Sequence, residues 1–266
     1  MEDAVRAAVA VVKDEVLWRL VCHRARRAGI DPSTLERVRE HLRISTKRVE
    51  PRYAHPAQRP EHYFPGLSAR PWHDPADHPW TGTLSAAHGI LVEELEGVRE
   101  RLERQPAPLT DDGAWDVYYL HFMGRRVEEN WRRCPGTARV LESLRGLRGV
   151  GHAYFSLLHP GTHIKPHCGP INVWLRCHLG LVVPPGCRIR VDTESREWAE
   201  GECLVFDDAF EHEVWNPSDE ERAVLVVDFW HPELSSAEAW ALGQILRMSA
   251  RVRRRDRSVA ARRGDR

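Results

Sequence analysis

The sequence predicts an α+β fold in which a jelly-roll β-barrel follows a run of helices, and three observations carry that reading. Helical patterns dominate up to about Leu144, whereas residues 153–230 break into short apolar or alternating segments, a run of β after a run of α. Pro184-Pro-Gly186 and Asn216-Pro-Ser218 mark tight connections between those segments. Two stretches some 40 residues apart, His159 to Asn172 and Phe206 to Trp215, each set a histidine, His167 and His212, beside strand-like sequence. A jelly roll brings strands distant in sequence together at its open mouth, so the two imidazoles are expected to meet there.

The first element is a helix over residues 3–28, with Val5, Val9, Val12, Val16, Leu20 and Val21 on one face and Gly29 as its stop. Asp31-Pro32 opens a second helix through about Leu42, Asp as N-cap and Pro in the first turn. This pair either packs on the barrel or serves as a dimerisation or docking element. Residues 45–80 hold no sustained period and read as a wrapping loop. The histidines His55, His62, His73 and His78 within it are too irregularly spaced for a second metal site. Helix resumes over Ser85–Gln105, where Leu91, Leu95, Val98 and Leu102 share a face. Trp115–Phe122 reads as a strand and Gly136–Leu144 as a helix. The barrel strands follow at Ala153–Leu158, Val173–Val183, Cys187–Val191, Glu202–Phe206 and Ala223–Trp230. A helix carrying Ala237, Trp240, Leu242 and Ile245 packs back after Leu234. The last segment, 247–266, holds nine arginines against Asp256 and Asp265 and reads as a solvated, disordered tail.

Composition bounds the function. With 266 residues, 42% of them hydrophobic, the chain has material for one well-packed domain and an added helical segment. A formal net charge of zero implies no general attraction to nucleic acid. No apolar run approaches the roughly 20 residues of a membrane span, and Met1-Glu-Asp lacks the basic start of a signal peptide. The expected compartment is therefore the cytoplasm, with neither nucleic acid nor membrane as partner. Six scattered cysteines without a C-x-x-C pair fit reduced thiols.

Two converging imidazoles suggest a metal, because neutral imidazole suits iron, zinc and copper. The usual non-haem iron site adds a carboxylate two residues after the first histidine, and that position here is Gly169. Either histidine alone reads as a satisfied polar group; together, with Arg222 following, they read as a metal pair. Asp207 and Asp208 fit turn-capping or supporting roles. Cys168 reads as a small packing residue and His163 as a loop hydrogen-bonding residue. Arg125 and Arg126 either reach substrate or form ion pairs.

The segment His159-Pro-Gly-Thr-His-Ile-Lys-Pro-His-Cys-Gly-Pro-Ile-Asn172, followed by Arg176-Cys-His-Leu-Gly-Leu181, Trp198-x-x-Gly201, Phe206-Asp-Asp208, Glu211-His-Glu-Val-Trp215 and Asp228-Phe-Trp-His-Pro-Glu-Leu234, resembles the aspartyl/asparaginyl β-hydroxylases. Phe64-Pro-Gly-Leu67, Pro71-Trp72, Asp74-Pro75, Gly113-x-Trp115 and Gly124-Arg-Arg126 extend the resemblance to roughly residues 62–235. It implies a double-stranded β-helix braced by N-terminal and C-terminal helices, and a reaction using Fe(II), 2-oxoglutarate and O2 to hydroxylate an unactivated C–H, at the β-carbon of an amino-acid unit, with release of succinate and CO2. It places the domains at 1–60 (helical extension), 61–246 (oxygenase) and 247–266 (tail).

The same resemblance assigns His167 and His212 to the metal, with water beside Gly169, as in the animal members. It assigns Arg222 and Ser156 to the distal carboxylate of 2-oxoglutarate, and Arg176 and His178 to the chelating end. In the animal members two arginines meet an acidic acceptor; those positions here are Trp174 and Thr110, which implies a flatter, more apolar or aromatic acceptor, with Trp174, Arg125 and Arg126 as candidate contacts. The acceptor is an amino acid, a peptide or a carrier-bound amino acid. Two alternatives stand beside this: halogenation, with chloride in the Gly169 vacancy, and a non-catalytic binding barrel.

Overall fold

The computed structural model describes residues 2–105, 109–110, 113–144 and 151–248, with side chains from residue 14 onward. The chain forms two compact units. One comprises the described parts of Met1–Arg52, His62–Leu67 and Pro232–Arg266; the other comprises those of Tyr53–Glu61 and Ser68–His231. The arginine-rich segment predicted to be a tail lies, from residue 249 on, outside the described residues.

In the first unit, α1 (Glu2–Arg27) ends at Gly29, whose φ of 74° suits a residue without Cβ. The Asp31 carboxylate accepts from Ser33 N at 2.9 Å, as an N-cap does, but the turn it caps, Pro32–Leu35, is 3-10 before α2 (Glu36–Ser45) begins. Val21, Ala25, Leu35, Val38, Leu42, Phe64 and Leu242 are buried. Arg37 of α2 makes a two-pronged pair with Glu238 of the C-terminal helix (residues 236–248), both bonds 2.7 Å, and donates to Gly66 O at 2.7 Å. Such a fork fixes direction as well as distance.

The second unit is a double-stranded β-helix with all strand pairs antiparallel. Its strands are β1 (Trp72–His73), β2 (Glu103–Arg104), β3 (Trp115–Phe122), β4 (Arg125–Arg126), β5 (Ala153–Leu158), β6 (His163–His167), β7 (Trp174–Val182), β8 (Arg188–Val191), β9 (Glu194–Glu197), β10 (Cys203–Phe206), β11 (His212–Trp215) and β12 (Arg222–Trp230). The larger sheet runs β1-β10-β7-β12-β5-β3-β2, with β4 also on β3; the smaller runs β6-β11-β8-β9. Helices α3 (Thr81–Ala86), α4 (His88–Val98), α5 (Glu128–Arg133) and α6 (Pro135–Ser143) pack on one face of the larger sheet, where Leu91, Leu95, Trp131 and Leu141 meet Phe155, Leu175, Leu179 and Leu225. The other face meets the smaller sheet through Tyr154, Phe206, Val224 and Val226 against Ile164, Ile189, Val191 and Val214.

Alternation along β7 divides the labour. Leu175, Cys177, Leu179 and Leu181 belong to the helix-side core, so Trp174, Arg176 and His178 turn to the interior between the sheets. On the helix side, the expected Ser85–Gln105 helix stops at Val98, because residues 103–104 leave it to pair with the start of β3. The loop expected over 45–80 contains β1, whose two residues extend the sheet edge but are too few to show a period.

Candidate active site

His167 closes β6, His212 opens β11, and the antiparallel register sets them directly opposite each other. Their ring centroids are 4.2 Å apart. Each ring bonds through Nδ1 to the carbonyl two residues before it, His167 to Lys165 O at 2.8 Å and His212 to Phe210 O at 3.0 Å. A carbonyl only accepts, so each Nδ1 carries the proton and each Nε2 presents a lone pair. Burial holds both imidazoles below the usual histidine range, the neighbouring His167 adding to the effect on His212. Two neutral rings, oriented alike by backbone carbonyls, have the chemistry to ligate a metal.

Gly169 has a local cause. Its N–H donates to Asp208 O at 2.5 Å, and a Cβ on it would fall 2.5 to 2.7 Å from the Asp208 carboxylate atoms. The missing side chain makes room for Asp208, which is fully buried. Asp208 lies 3.0 Å from Arg176 Nη1, and Arg176 also grips Asp228 through Nε (2.8 Å) and Nη2 (3.2 Å). Asp228 accepts in addition from the backbone N–H of His152 at 2.9 Å. Burial opposes ionisation of both carboxylates; it raises Asp208 to about 6, while Arg176 and His152 hold Asp228 well below the usual carboxylate range. The chloride alternative needed an open anion place beside Gly169, and a carboxylate takes that space.

Arg222 opens β12 opposite Leu158 and is 1% exposed. Among the described residues its Nε and Nη1 have no hydrogen-bond partner, and its guanidinium carbon lies 4.8 Å from the Trp198 ring centroid. Burial lowers it to about 10, so it stays charged at neutral pH. His178 stacks on the same Trp198, 19° from coplanar with centroids 5.9 Å apart, and its Nδ1 is also without a hydrogen-bond partner among the described residues. Ser156, opposite Val224, accepts from Trp115 Nε1 at 3.0 Å, which leaves its own O–H to donate. An uncompensated buried guanidinium is costly. With the imidazole pair it fits a divalent metal and a small dicarboxylate.

The remaining candidates divide. Trp174 is 2% exposed and meets His152 edge-on at 6.5 Å. Arg125 and Arg126 are exposed on β4 at the outer side of β3, and Arg126 engages Glu142 at 2.7 Å and the Trp131 ring at 4.2 Å. His163, read as a loop residue, instead begins β6, where it pairs with Glu213 at 3.0 Å and stacks on Trp215. His73 meets His78 and His231 at 6.1 and 6.3 Å, yet among the described residues no three metal-ligating side chains converge. Trp198 and Asp228 enter the sequence reading as motif residues only, with no role assigned at the site. Asp228 had a signal, a charged residue inside the apolar run of β12.

Residues 87–232, more than half of the chain, match the family described as Aspartyl/Asparaginyl beta-hydroxylase. The chain belongs to the aspartyl/asparaginyl β-hydroxylase family. Within that family it is 36% identical over 201 residues to the human "Aspartyl/asparaginyl beta-hydroxylase", covering 68% of this chain and 25% of that protein. It is 46% identical over 139 residues to the human "Aspartate beta-hydroxylase domain-containing protein 2", covering 50% and 38%. It is 38% identical over 190 residues to the "Ornithine lipid ester-linked acyl 2-hydroxylase" of Rhizobium tropici, covering 66% of each. The chain thus spans about a quarter of the length of the first of these relatives. In this β-hydroxylase-family chain, no helix among the described residues is long and apolar enough to cross a membrane.

Proposed function

We propose that the chain is an iron(II)- and 2-oxoglutarate-dependent oxygenase that hydroxylates an unactivated C–H and releases succinate and CO2. The observation that carries this reading is Arg222, a buried cation lacking hydrogen-bond partners at Nε and Nη1 among the described residues, in the barrel whose smaller sheet carries two neutral imidazoles tied through Nδ1 to backbone carbonyls. Bound iron would supply oxygen activation coupled to oxidative decarboxylation of 2-oxoglutarate.

The protein's own groups then have distinct tasks. The Nε2 atoms of His167 and His212 would hold the iron, and the Nδ1–H bonds to Lys165 O and Phe210 O keep the rings from turning. Arg222, joined by the Ser156 hydroxyl, would hold the distal carboxylate of 2-oxoglutarate, since a guanidinium offers the donors a carboxylate needs. His178 faces the same space from β7. Arg176, gripped by Asp228, holds the Asp208 carboxylate beside Gly169. The near-complete burial of Ser156, Arg222 and His212 keeps the reacting centre poor in water.

The acceptor is an amino-acid unit, free, in a peptide or carrier-bound. Trp174 and Thr110 stand where arginines would suit an acidic acceptor, so this reading favours an apolar or aromatic one. Anaerobic titration with iron(II) and 2-oxoglutarate tests the cofactor assignment. The visible charge-transfer band is expected for wild type, absent in His167→Ala, and shifted to much higher 2-oxoglutarate in Arg222→Ala. A folded wild type without the band overturns the assignment and revives the binding-barrel reading. Succinate release across amino-acid, peptide and acyl-lipid panels then identifies the acceptor class.

A further inference from the structure

We infer that the acceptor binds through an aryl side chain, received by a wall of rings that Tyr119, Phe122, His152 and Trp174 build on the interior face of the larger sheet. That the ligand is the acceptor rests on the proposed oxygenase activity; the wall itself is formed by the chain alone.

The wall belongs to a row that crosses the sheet from β7 to β3. Arg176 of β7 stands directly opposite Asp228 of β12. The backbone N–H of Asp228 donates to His152 O at 2.9 Å, and one strand further Tyr119 stands opposite Tyr154. At the inner end Arg176 holds Asp208 against Gly169, two residues after His167. At the outer end is Phe122, 50% exposed although large and apolar. The row thus leads from solvent toward the imidazole pair.

The rings meet one another edge-on or tilted. Phe122 lies 5.0 Å from Tyr119 and 5.2 Å from His152, His152 lies 5.9 Å from Tyr119 and 6.5 Å from Trp174, and Tyr154 backs Tyr119 at 5.1 Å. The Asp228 carboxylate, 3.2 Å from His152 Nδ1, fixes the histidine ring. An aryl ring docked edge-on or offset against such a group gains more than its buried area alone provides. Other partly exposed rings carry a cation: Arg59 lies over Tyr53 at 4.4 Å, Arg196 over Trp72 at 4.3 Å and Arg188 over Trp215 at 4.7 Å. Among the described residues none lies over Phe122 or Tyr119. Charge acts in the same direction, because Arg176, the cation in the row, is already bound by Asp228 and Asp208 and is not available to an acidic side chain. A cleft of about 540 Å³ at the edge of β3 is lined by the same Tyr119 and Phe122 with Val117, Val127, Asn130 and Arg133. Its size is that of a small-molecule site, and it offers the rest of the acceptor a concave surface of mixed polarity.

The test is a ligand-observed NMR titration of the full chain with N-acetylated amino-acid amides, in chelating buffer and again with zinc(II) and 2-oxoglutarate. The phenylalanine amide is expected to bind more tightly than the leucine, cyclohexylalanine and aspartate amides, although cyclohexylalanine is the more apolar. Phe122→Leu keeps an apolar side chain at an exposed position; it should weaken the phenylalanine amide by about three- to tenfold and leave the leucine amide unchanged. A cyclohexylalanine or aspartate amide that binds as tightly as the phenylalanine amide, a phenylalanine amide that does not bind, or wild-type affinity for it in Phe122→Leu overturns the inference. Free phenylalanine titrated beside the amide distinguishes an amino-acid acceptor from a peptide one, and tight binding of either supports the aryl wall. A phenylalanine preference in a protein that forms no charge-transfer band leaves the aryl site standing and overturns the oxygenase reading alone.

Discussion

Arg222 and Asp207 show how single residues record what they are built for. A buried guanidinium destabilises a ligand-free protein and is offset only when an anion arrives. Arg222→Met, similar in length and apolar, is therefore expected to raise the stability of the ligand-free protein by about 1–3 kcal/mol. It should also abolish the stabilisation that 2-oxoglutarate with a divalent metal gives wild type. Urea unfolding with and without the pair reads both signs; a variant less stable than wild type when ligand-free would show that Arg222 is already compensated. Asp207 is the opposite case, a carboxyl raised to about 8 by burial and by Asp208. It lies 2.5 Å from the Gln58 side-chain amide. Gln58 Nε2 donates to Asp207 Oδ2, and the Ala209 N–H donates to Asp207 Oδ1 at 2.9 Å. A neutral acid there limits the negative charge beside Asp208.

At the scale of elements, the connection from β11 to β12 sets where Arg222 begins. Asn216, fully buried, donates through Nδ2 to Leu158 O (3.1 Å), His159 O (3.1 Å) and Glu220 O (2.8 Å), and accepts through Oδ1 from Ser218 Oγ (2.6 Å). Asn216→Ala removes all of these bonds from a buried turn and is expected to cost about 1–3 kcal/mol in urea unfolding. A cost under about 0.5 kcal/mol, the size of an ordinary surface substitution, would mean the turn holds without it. The Asn-Pro-Ser signal of this turn was legible in sequence, as were β3, β5, β7 and β12, because long apolar runs in a two-faced sheet announce themselves. The strands carrying His167 and His212 did not. β6 reads His-Ile-Lys-Pro-His and β11 reads His-Glu-Val-Trp, each with one core residue, Ile164 or Val214, among polar side chains. Their regularity comes from cross-strand partners, His163 with Glu213 and Arg190 with Glu213, which no local period encodes. The histidines themselves were legible from motif order. The Asp208 carboxylate that explains Gly169 was not, because their contact spans 39 residues of sequence.

Across the whole molecule, buried titratable groups predict a stability maximum close to pH 6.5. His41 in one unit, and His73 and His121 in the other, are 4%, 4% and 7% exposed, and burial lowers each from 6.5 to about 4. Their unfolded forms take up protons below pH 6.5 while their folded forms do not until about 4. The stability they contribute is thus complete above 6.5 and is lost as pH falls toward 4, at about 1.4 kcal/mol per pH unit for each. Asp207 acts with the opposite sign: its folded form keeps a proton up to about 8 that its unfolded form loses near 3.8, so its contribution drains away as pH rises. Asp208, raised to about 6, adds to that drain only below pH 6. Below pH 6.5 the three histidines outnumber the two carboxyls and stability falls with acid; between 6.5 and 8 Asp207 acts without them and stability falls with base. Urea midpoints across this range are expected to peak near pH 6.5. His121→Phe, which fills the same space without an imidazole, should shallow the acid limb, and Asp207→Asn should flatten the alkaline one. A monotonic profile in wild type, or an alkaline limb unchanged in Asp207→Asn, would show that other groups set the pH dependence.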